Sequence, residues 1–224
     1  SLKERNRIAY EAPFSDTKRW GDMAELGVPG ALAMEKDGGF GGTGFDIAVV
    51  FEALGRHLCP EPFLATLLAS RLLSAAGADQ SGLVDGSIRY AVGLSEIDAP
   101  YGLAGTATTA RKQSDGYRLS GRKSAVYGGQ VADVLLIVAM LDGKPAVFSA
   151  AAGDVNVVSY GMMDGGGAAE LLLDDTPATL LLADAEAALT SAVAAGQVAL
   201  CAEAVGAMTA AYDLLLDYLK TRRQ

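Results

Sequence analysis

The sequence predicts an α+β chain with a helical domain over residues 1–85, a β-barrel or sandwich domain over 86–182 and the start of a helical bundle over 183–224. Three observations predict it. Apolar residues recur at helical spacing as far as about residue 82. The period then changes to alternating or short apolar runs separated by turn residues. From Ala183 to Ala211, 13 of 29 residues are alanine and none is proline, a composition that favours helix and close helix contact.

Taken in order, Trp20, Met23, Ala24 and Leu26 form one face of a short helix that ends at Gly27. The glycine-rich run Gly38–Gly44 follows no strand and lacks the spacing of a phosphate cradle, so it reads as a helix connection. Ile47, Val50, Phe51 and Leu54 repeat with helical spacing behind a cap at Thr43 or Asp46, with His57 at the helix end and Pro60 and Pro62 beyond it. Phe63–Ala75 resumes the pattern and stops before Gly77. Eight runs then read as strands: 88–94, 106–111, 117–120, 134–140, 146–150, 155–160, 169–173 and 178–182. Asp115-Gly116 and Asp142-Gly143 are hairpin signals, and Gly161–Gly167 reads as a turn. The alanine-rich zone forms one long helix or two in series. It ends at Gln224 without a capping signal, and residues 1–20 do not read as one element, so a longer natural chain is expected.

Composition narrows the function. Half the residues are apolar and 20% charged, which suits a packed core rather than disorder. The net charge of −9 leaves no basic footprint for nucleic acid or an anionic membrane. The apolar run 187–202 is shorter than a bilayer span and reads as a buried helix. Cys59 and Cys201 stand far apart and His57 is the single histidine, so a disulfide framework, a structural zinc and a histidine-based triad are not expected, and both cysteines read as small core residues. The polar start carries no signal peptide, and a cytoplasmic setting is the default.

Five motifs in order carry a resemblance. They are Trp20-Gly-Asp-Met-Ala-Glu-Leu-Gly27; Phe51-Glu-Ala-Leu-Gly-Arg56 with Cys59-Pro-Glu-Pro-Phe-Leu64; Gly93-Leu-Ser-Glu96; Asp115-Gly-Tyr-Arg-Leu-Ser-Gly-Arg-Lys123 with Ala132-Asp133; and Gly206 with Tyr218-Leu-Lys-Thr-Arg-Arg-Gln224. Together they resemble the acyl-CoA dehydrogenase family over most of the chain, without most of the C-terminal helical domain. The resemblance implies FAD held beside the β domain, removal of an acyl-CoA α proton by a carboxylate, and hydride transfer to the flavin, in a dry cleft. It implies flavin contacts at Val92, Leu94, Ser95 and Glu96 and at Val126 and Tyr127, with Glu96 in an architectural rather than acid–base role. Arg222 is placed on the diphosphate of a neighbouring subunit's flavin. It further implies a homo- or hetero-oligomer built through the C-terminal helices and electron-transfer flavoprotein as acceptor. The Pro-Glu-Pro-Phe-Leu segment resembles the branch acting on short, dicarboxylic or steroid side-chain thioesters.

The departures are equally specific. Pro100-Tyr101-Gly102 stands where the family carries Gly-Ser-Asp, which puts Tyr101 at the substrate. Ala125 replaces an aromatic residue that packs on the flavin, with Tyr127 two places on as a substitute ring. Gly196-Gln197 occupies one position of the catalytic base and the commoner position lies beyond Gln224, so no base is assigned. These losses keep open two alternatives: a non-catalytic partner subunit of a heteromeric dehydrogenase, and a flavin-dependent monooxygenase on the same fold.

Overall fold

The computed structural model describes residues 11, 14–100, 105–114 and 116–222. Helix α1 (Thr17–Glu25) starts at Asp16, whose carboxylate accepts the Arg19 N–H at 3.1 Å. Trp20 is its buried anchor. The indole stacks on Phe63 at 5.3 Å and donates to the Gly86 carbonyl at 2.9 Å, which joins α1 to the next helices and to the entry of the sheet. Two 3-10 turns (Gly30–Leu32 and Glu35–Asp37) lead to α2 (Gly44–Arg56), and the glycine run is the connection expected. Both candidate caps act at once. Thr43 accepts the Asp46 N–H and Asp46 accepts the Thr43 N–H, a reciprocal capping box. Helix α3 (Phe63–Ala76) buries residues around most of its circumference, because it lies between the sheet and the last helix; a single turn, α4 (Ser81–Val84), follows.

Seven strands follow: β1 (Tyr90–Gly93), β2 (Thr109–Gln113), β3 (Gly116–Tyr127), β4 (Val134–Leu141), β5 (Lys144–Ala151), β6 (Asn156–Gly161) and β7 (Gly167–Leu182). Strand β4 pairs with β5 on one edge and with β1 and then β2 on the other; β2 pairs with β3, β3 with β7, and β7 with β5, so the ring closes. Closure leaves an interior filled by apolar side chains, among them Leu119, Leu135, Ile137, Phe148 and Leu171. The β4–β5 link is the tight turn that Asp142-Gly143 signals, with φ of 50° and 81° as a type I′ turn requires. The link at residue 115 lies outside the described residues, although β2 and β3 pair as that hairpin requires.

Two expectations about strands change. The runs 169–173 and 178–182 are one strand, β7. Asp174-Asp175-Thr176-Pro177 is not a break but the bend at which β7 exchanges its partner β6 for β5, with Asp175 at φ 49°. The run 117–120 extends to Tyr127 through two register shifts, because the outward Arg122 and the paired Lys123 are charges that a strand pattern does not anticipate.

The alanine-rich zone is a single helix, α5 (Glu186–Thr221). Its buried residues, Leu189, Ala192, Gly196, Ala199 and Gly206, form one stripe that faces α2 and α3. The expected buried helix over 187–202 is therefore buried on one side only, and Cys201 is exposed rather than in the core. By length and composition α5 is long and apolar enough to cross a membrane. In this fold its stripe is occupied by helix contacts instead. Where α2 crosses α5 the backbones touch: a Cβ at Gly55 would lie 2.0 Å from the Glu203 carbonyl, and one at Gly206 2.0 Å from the Glu52 carbonyl.

Candidate functional site

The first turns of α3, the end of β1 and the end of β3 meet around a hollow of about 140 Å³. Val92, Leu94, Ser95, Ala125 and Tyr127 line it from the barrel, and Leu64, Ala65 and Leu68 from α3. Its floor is apolar and Ser95 brings a hydroxyl side chain to its lining, while the Tyr127 ring forms wall and its hydroxyl lies toward Gly166, a composition suited to a flat, largely apolar ring. Ser95 is held in place because its hydroxyl donates to the Pro100 carbonyl at 3.3 Å and its own carbonyl accepts the Ser124 N–H at 2.9 Å. A larger cavity, about 660 Å³, lies elsewhere, between α1 and α2, and shares none of these side chains.

Under the hollow lies a buried ion pair. Lys123 is fully buried and its ammonium is 2.7 Å from Glu96 and 3.3 Å from the Leu94 carbonyl. The Glu96 carboxylate also accepts the Ala107 and Thr108 N–H groups at 2.8 and 3.0 Å and the Thr108 hydroxyl at 2.6 Å. Burial alone would raise the pKa of Glu96. Lys123, Thr108 and the two backbone donors outweigh that effect and hold it at about 2. Burial pushes the Lys123 pKa down against the pull of Glu96. A carboxylate with this many fixed donors is a structural ion, and it ties the segment bearing Leu94 and Ser95 to β3.

A second carboxylate shapes the opposite wall. Glu170 accepts from Arg122 Nε at 2.9 Å, from the Ser124 hydroxyl at 2.7 Å, from the Ala125 N–H at 3.2 Å and from the Tyr160 hydroxyl at 3.3 Å. These bonds bracket the register shift between Lys123 and Val126 and hold Ala125 at φ 51°, a left-handed conformation that a non-glycine residue keeps only under such constraint.

A further cavity, about 240 Å³, adjoins the hollow and shares Leu64 and Tyr127 with it. Cys59, Glu61, Asp164 and Glu203 contribute its polar lining. The Cys59 thiol donates to Glu61 at 2.8 Å, and burial together with that carboxylate pushes its pKa up to about 12. A disulfide reagent at pH 8 is therefore expected to label the exposed Cys201 and to spare Cys59 until the chain is denatured. Two thiols reacting in the native state would contradict this reading of the cavity.

The structure brings Val92, Leu94, Ser95 and Tyr127 together, as the sequence motifs imply. It separates three others from the hollow. Val126 is 1% exposed with its side chain among the barrel-core residues, so its side chain has no access to a ligand. Glu96 faces Lys123 rather than the hollow. Arg222 stands exposed at the C-terminal cap of α5, its guanidinium 5.8 Å from the Tyr218 ring. Tyr101 lies outside the described residues. Sequence reasoning missed the partnership of Lys123 with Glu96 and the role of Glu170. Their signal was a charged residue inside an otherwise strand-like run, which reads as solvent-facing until a partner is found.

A helical layer, a closed barrel and a long helix, with a hollow between α3 and the barrel, make up the fold shared by acyl-CoA dehydrogenases. Comparisons agree. No protein-family profile matches the chain. The chain is 34% identical over 151 residues to acyl-CoA dehydrogenase FadE27 of Mycobacterium tuberculosis, covering 63% of this chain and 39% of that protein. It is 28% identical over 240 residues to the probable acyl-CoA dehydrogenase YngJ of Bacillus subtilis, covering 96% of this chain and 62% of that protein. Among solved structures, the Tcur3481–Tcur3483 steroid ACAD superposes with a TM-score of 0.86 at 29% identity, over all of this chain and 63% of that one. Butyryl-CoA dehydrogenase of Megasphaera elsdenii, at 24% identity, shares the fold with a TM-score of 0.85 over 64% of its length. The chain is thus similar in sequence and in fold to acyl-CoA dehydrogenases. It spans less than two thirds of the length of these relatives.

Proposed function

We propose that the chain is the flavin-holding part of an FAD-dependent acyl-CoA dehydrogenase, acting on the α,β bond of an acyl-CoA thioester. The observation that carries this reading is the convergence of Val92, Leu94, Ser95, Ala125 and Tyr127 on one hollow between barrel and helix. FAD, when bound there, supplies the hydride acceptor. The chain's own residues do the rest. Val92, Leu94 and Leu68 exclude water from the floor, the Tyr127 ring forms wall, Ser95 stands at the polar edge, and the Glu96–Lys123 pair keeps the Ser95 segment in position. Arg222, exposed at the end of α5, is free of the hollow in its own chain and suits the diphosphate of a neighbouring chain's flavin. Among the described residues no carboxylate lines the hollow, and none is assigned as the α-proton base.

Oligomerisation belongs to the same proposal. Met208, Tyr212, Leu215 and Leu219 are exposed along one side of α5, an apolar face of the kind that helices bury against other helices. The acceptor is proposed to be electron-transfer flavoprotein, and the setting cytoplasmic. One observation favours a second reading, a non-catalytic partner subunit: Ala125 offers a methyl group in the hollow where a ring is expected. Anaerobic titration of the FAD-loaded protein with acyl-CoA thioesters separates the two. Bleaching of the flavin band by one thioester supports the dehydrogenase, and retained colour with every thioester, in a protein that binds them, supports the partner subunit.

A further inference from the structure

We propose that the 240 Å³ cavity beside the hollow selects a chain whose far end donates hydrogen bonds, a hydroxyl or an ammonium, and rejects one that ends in a carboxylate. The proposal rests on the acyl-thioester reading, because Tyr127 and Leu64 line both spaces and the tail of a thioester lying beside a flavin in the hollow would enter here.

The chemistry of the walls carries it. Four elements each bring one polar group: Tyr127 from β3, Asp164 from the β6–β7 turn, Glu203 from α5 and Glu61 from the entry to α3. Phe51 and Leu200 supply apolar wall for methylenes. The acceptors outnumber the donors. Asp164 uses one oxygen on the Gly166 N–H at 2.8 Å. Glu61, with its side chain 1% exposed, accepts the Cys59 thiol on Oε2, while its buried Oε1 has no hydrogen-bond donor; Arg19, 3.2 Å away, balances its charge without an aligned N–H. Glu203 faces the cavity with no donor among the described residues, and burial and Asp164 raise its pKa. Burial and the same carboxylates raise that of the Tyr127 phenol, which stays protonated.

An alkyl tail fills this space but offers no donor to the carboxylates that line it, and a terminal carboxylate adds a like charge beside them. A hydroxyl or ammonium satisfies the acceptors. The dicarboxylic thioesters implied by the Pro-Glu-Pro-Phe-Leu segment are thus the class this cavity disfavours.

The test compares hexanoyl-CoA, 6-hydroxyhexanoyl-CoA, 6-aminohexanoyl-CoA and adipoyl-CoA for binding to the FAD-loaded protein by calorimetry. One satisfied buried acceptor corresponds to roughly a two- to tenfold gain for a donor-ended tail. Adipoyl-CoA is expected to bind more weakly than hexanoyl-CoA, and Glu203→Gln and Asp164→Asn are expected to narrow that gap. Adipoyl-CoA binding as well as hexanoyl-CoA, or no gain from either donor, overturns the proposal. Hexan-1-ol, hexylammonium and hexanoate, followed by amide shifts of Tyr127 and Glu203, test the cavity without a thioester. If the two donors shift these amides and hexanoate does not while every thioester fails to bind, the cavity chemistry stands and the acyl-thioester reading falls. If neither donor shifts them, the inference falls.

Discussion

Replacing Lys123 with methionine is expected to lower the stability of the chain by about 3–5 kcal/mol and to abolish FAD uptake. The size of the effect comes from what is left behind. Glu96 stays buried with its hydroxyl and backbone donors but without a countercharge. The double variant Lys123→Met/Glu96→Gln is expected to recover much of the loss, because it removes the orphaned charge while keeping most of the volume. Urea unfolding monitored by circular dichroism measures both, and a single variant within about 1 kcal/mol of the wild type would contradict a structural ion pair. The same pair predicts a pH dependence. Glu96 has a folded pKa of about 2 against an ordinary value of 4.5, so its contribution is complete above pH 4.5 and is lost as pH falls from there toward 2. The Glu96→Gln variant should show a shallower loss over that window.

The crossing of α2 and α5 sets the second large effect. Gly206→Ala puts a methyl carbon 2.0 Å from a backbone carbonyl, and Gly55→Ala does the same from the other side. Neither obstacle is a side chain that can turn away. The helices must separate along the contact that carries Ala199 and Phe51, at a cost of about 3 kcal/mol or more. Gly21→Ala is the control. Its Cβ meets nothing within 4 Å on α1, so removing the glycine is expected to be neutral or to stabilise by up to about 1 kcal/mol. Thermal melts of the three variants should place Gly21→Ala at or above the wild type and the other two well below it.

Much of this architecture is legible in the sequence wherever local chemistry and tertiary context agree. The Thr43/Asp46 cap, the Asp142-Gly143 turn and the Gly77 stop of α3 each rest on a local backbone demand, and each appears where the residues place it. Context decides the others. Asp174–Pro177 has the composition of a loop, yet serves as a bend within one strand because β7 changes partners there. Alanine-rich sequence marks a helix without marking its faces, since alanine is equally acceptable in contact or in solvent; this is why Cys201 and much of the region 187–202 are exposed.

The site divides in the same way. Gly93-Leu-Ser-Glu96 and Tyr127 are recognisable as a motif pair, and the fold brings them to one hollow. Val126 was indistinguishable from its neighbour Tyr127 by motif alone. The register shift in β3 turns the valine into the barrel core and leaves the tyrosine on the wall. Gly55 and Gly206 were visible as parts of motifs, but their meaning, a backbone-to-backbone crossing, is a long-range contact that no local pattern encodes.

The central claim is that the hollow between α3 and the barrel holds the flavin ring. Equilibrium titration of the apoprotein with FAD, followed by quenching of flavin fluorescence and by the shape of the visible band, tests it most directly. Saturable uptake of one FAD per chain, strongly weakened by Leu94→Arg in a variant that keeps the wild-type melting temperature, is the predicted result. No uptake at all, or uptake that Leu94→Arg leaves unchanged, would contradict it.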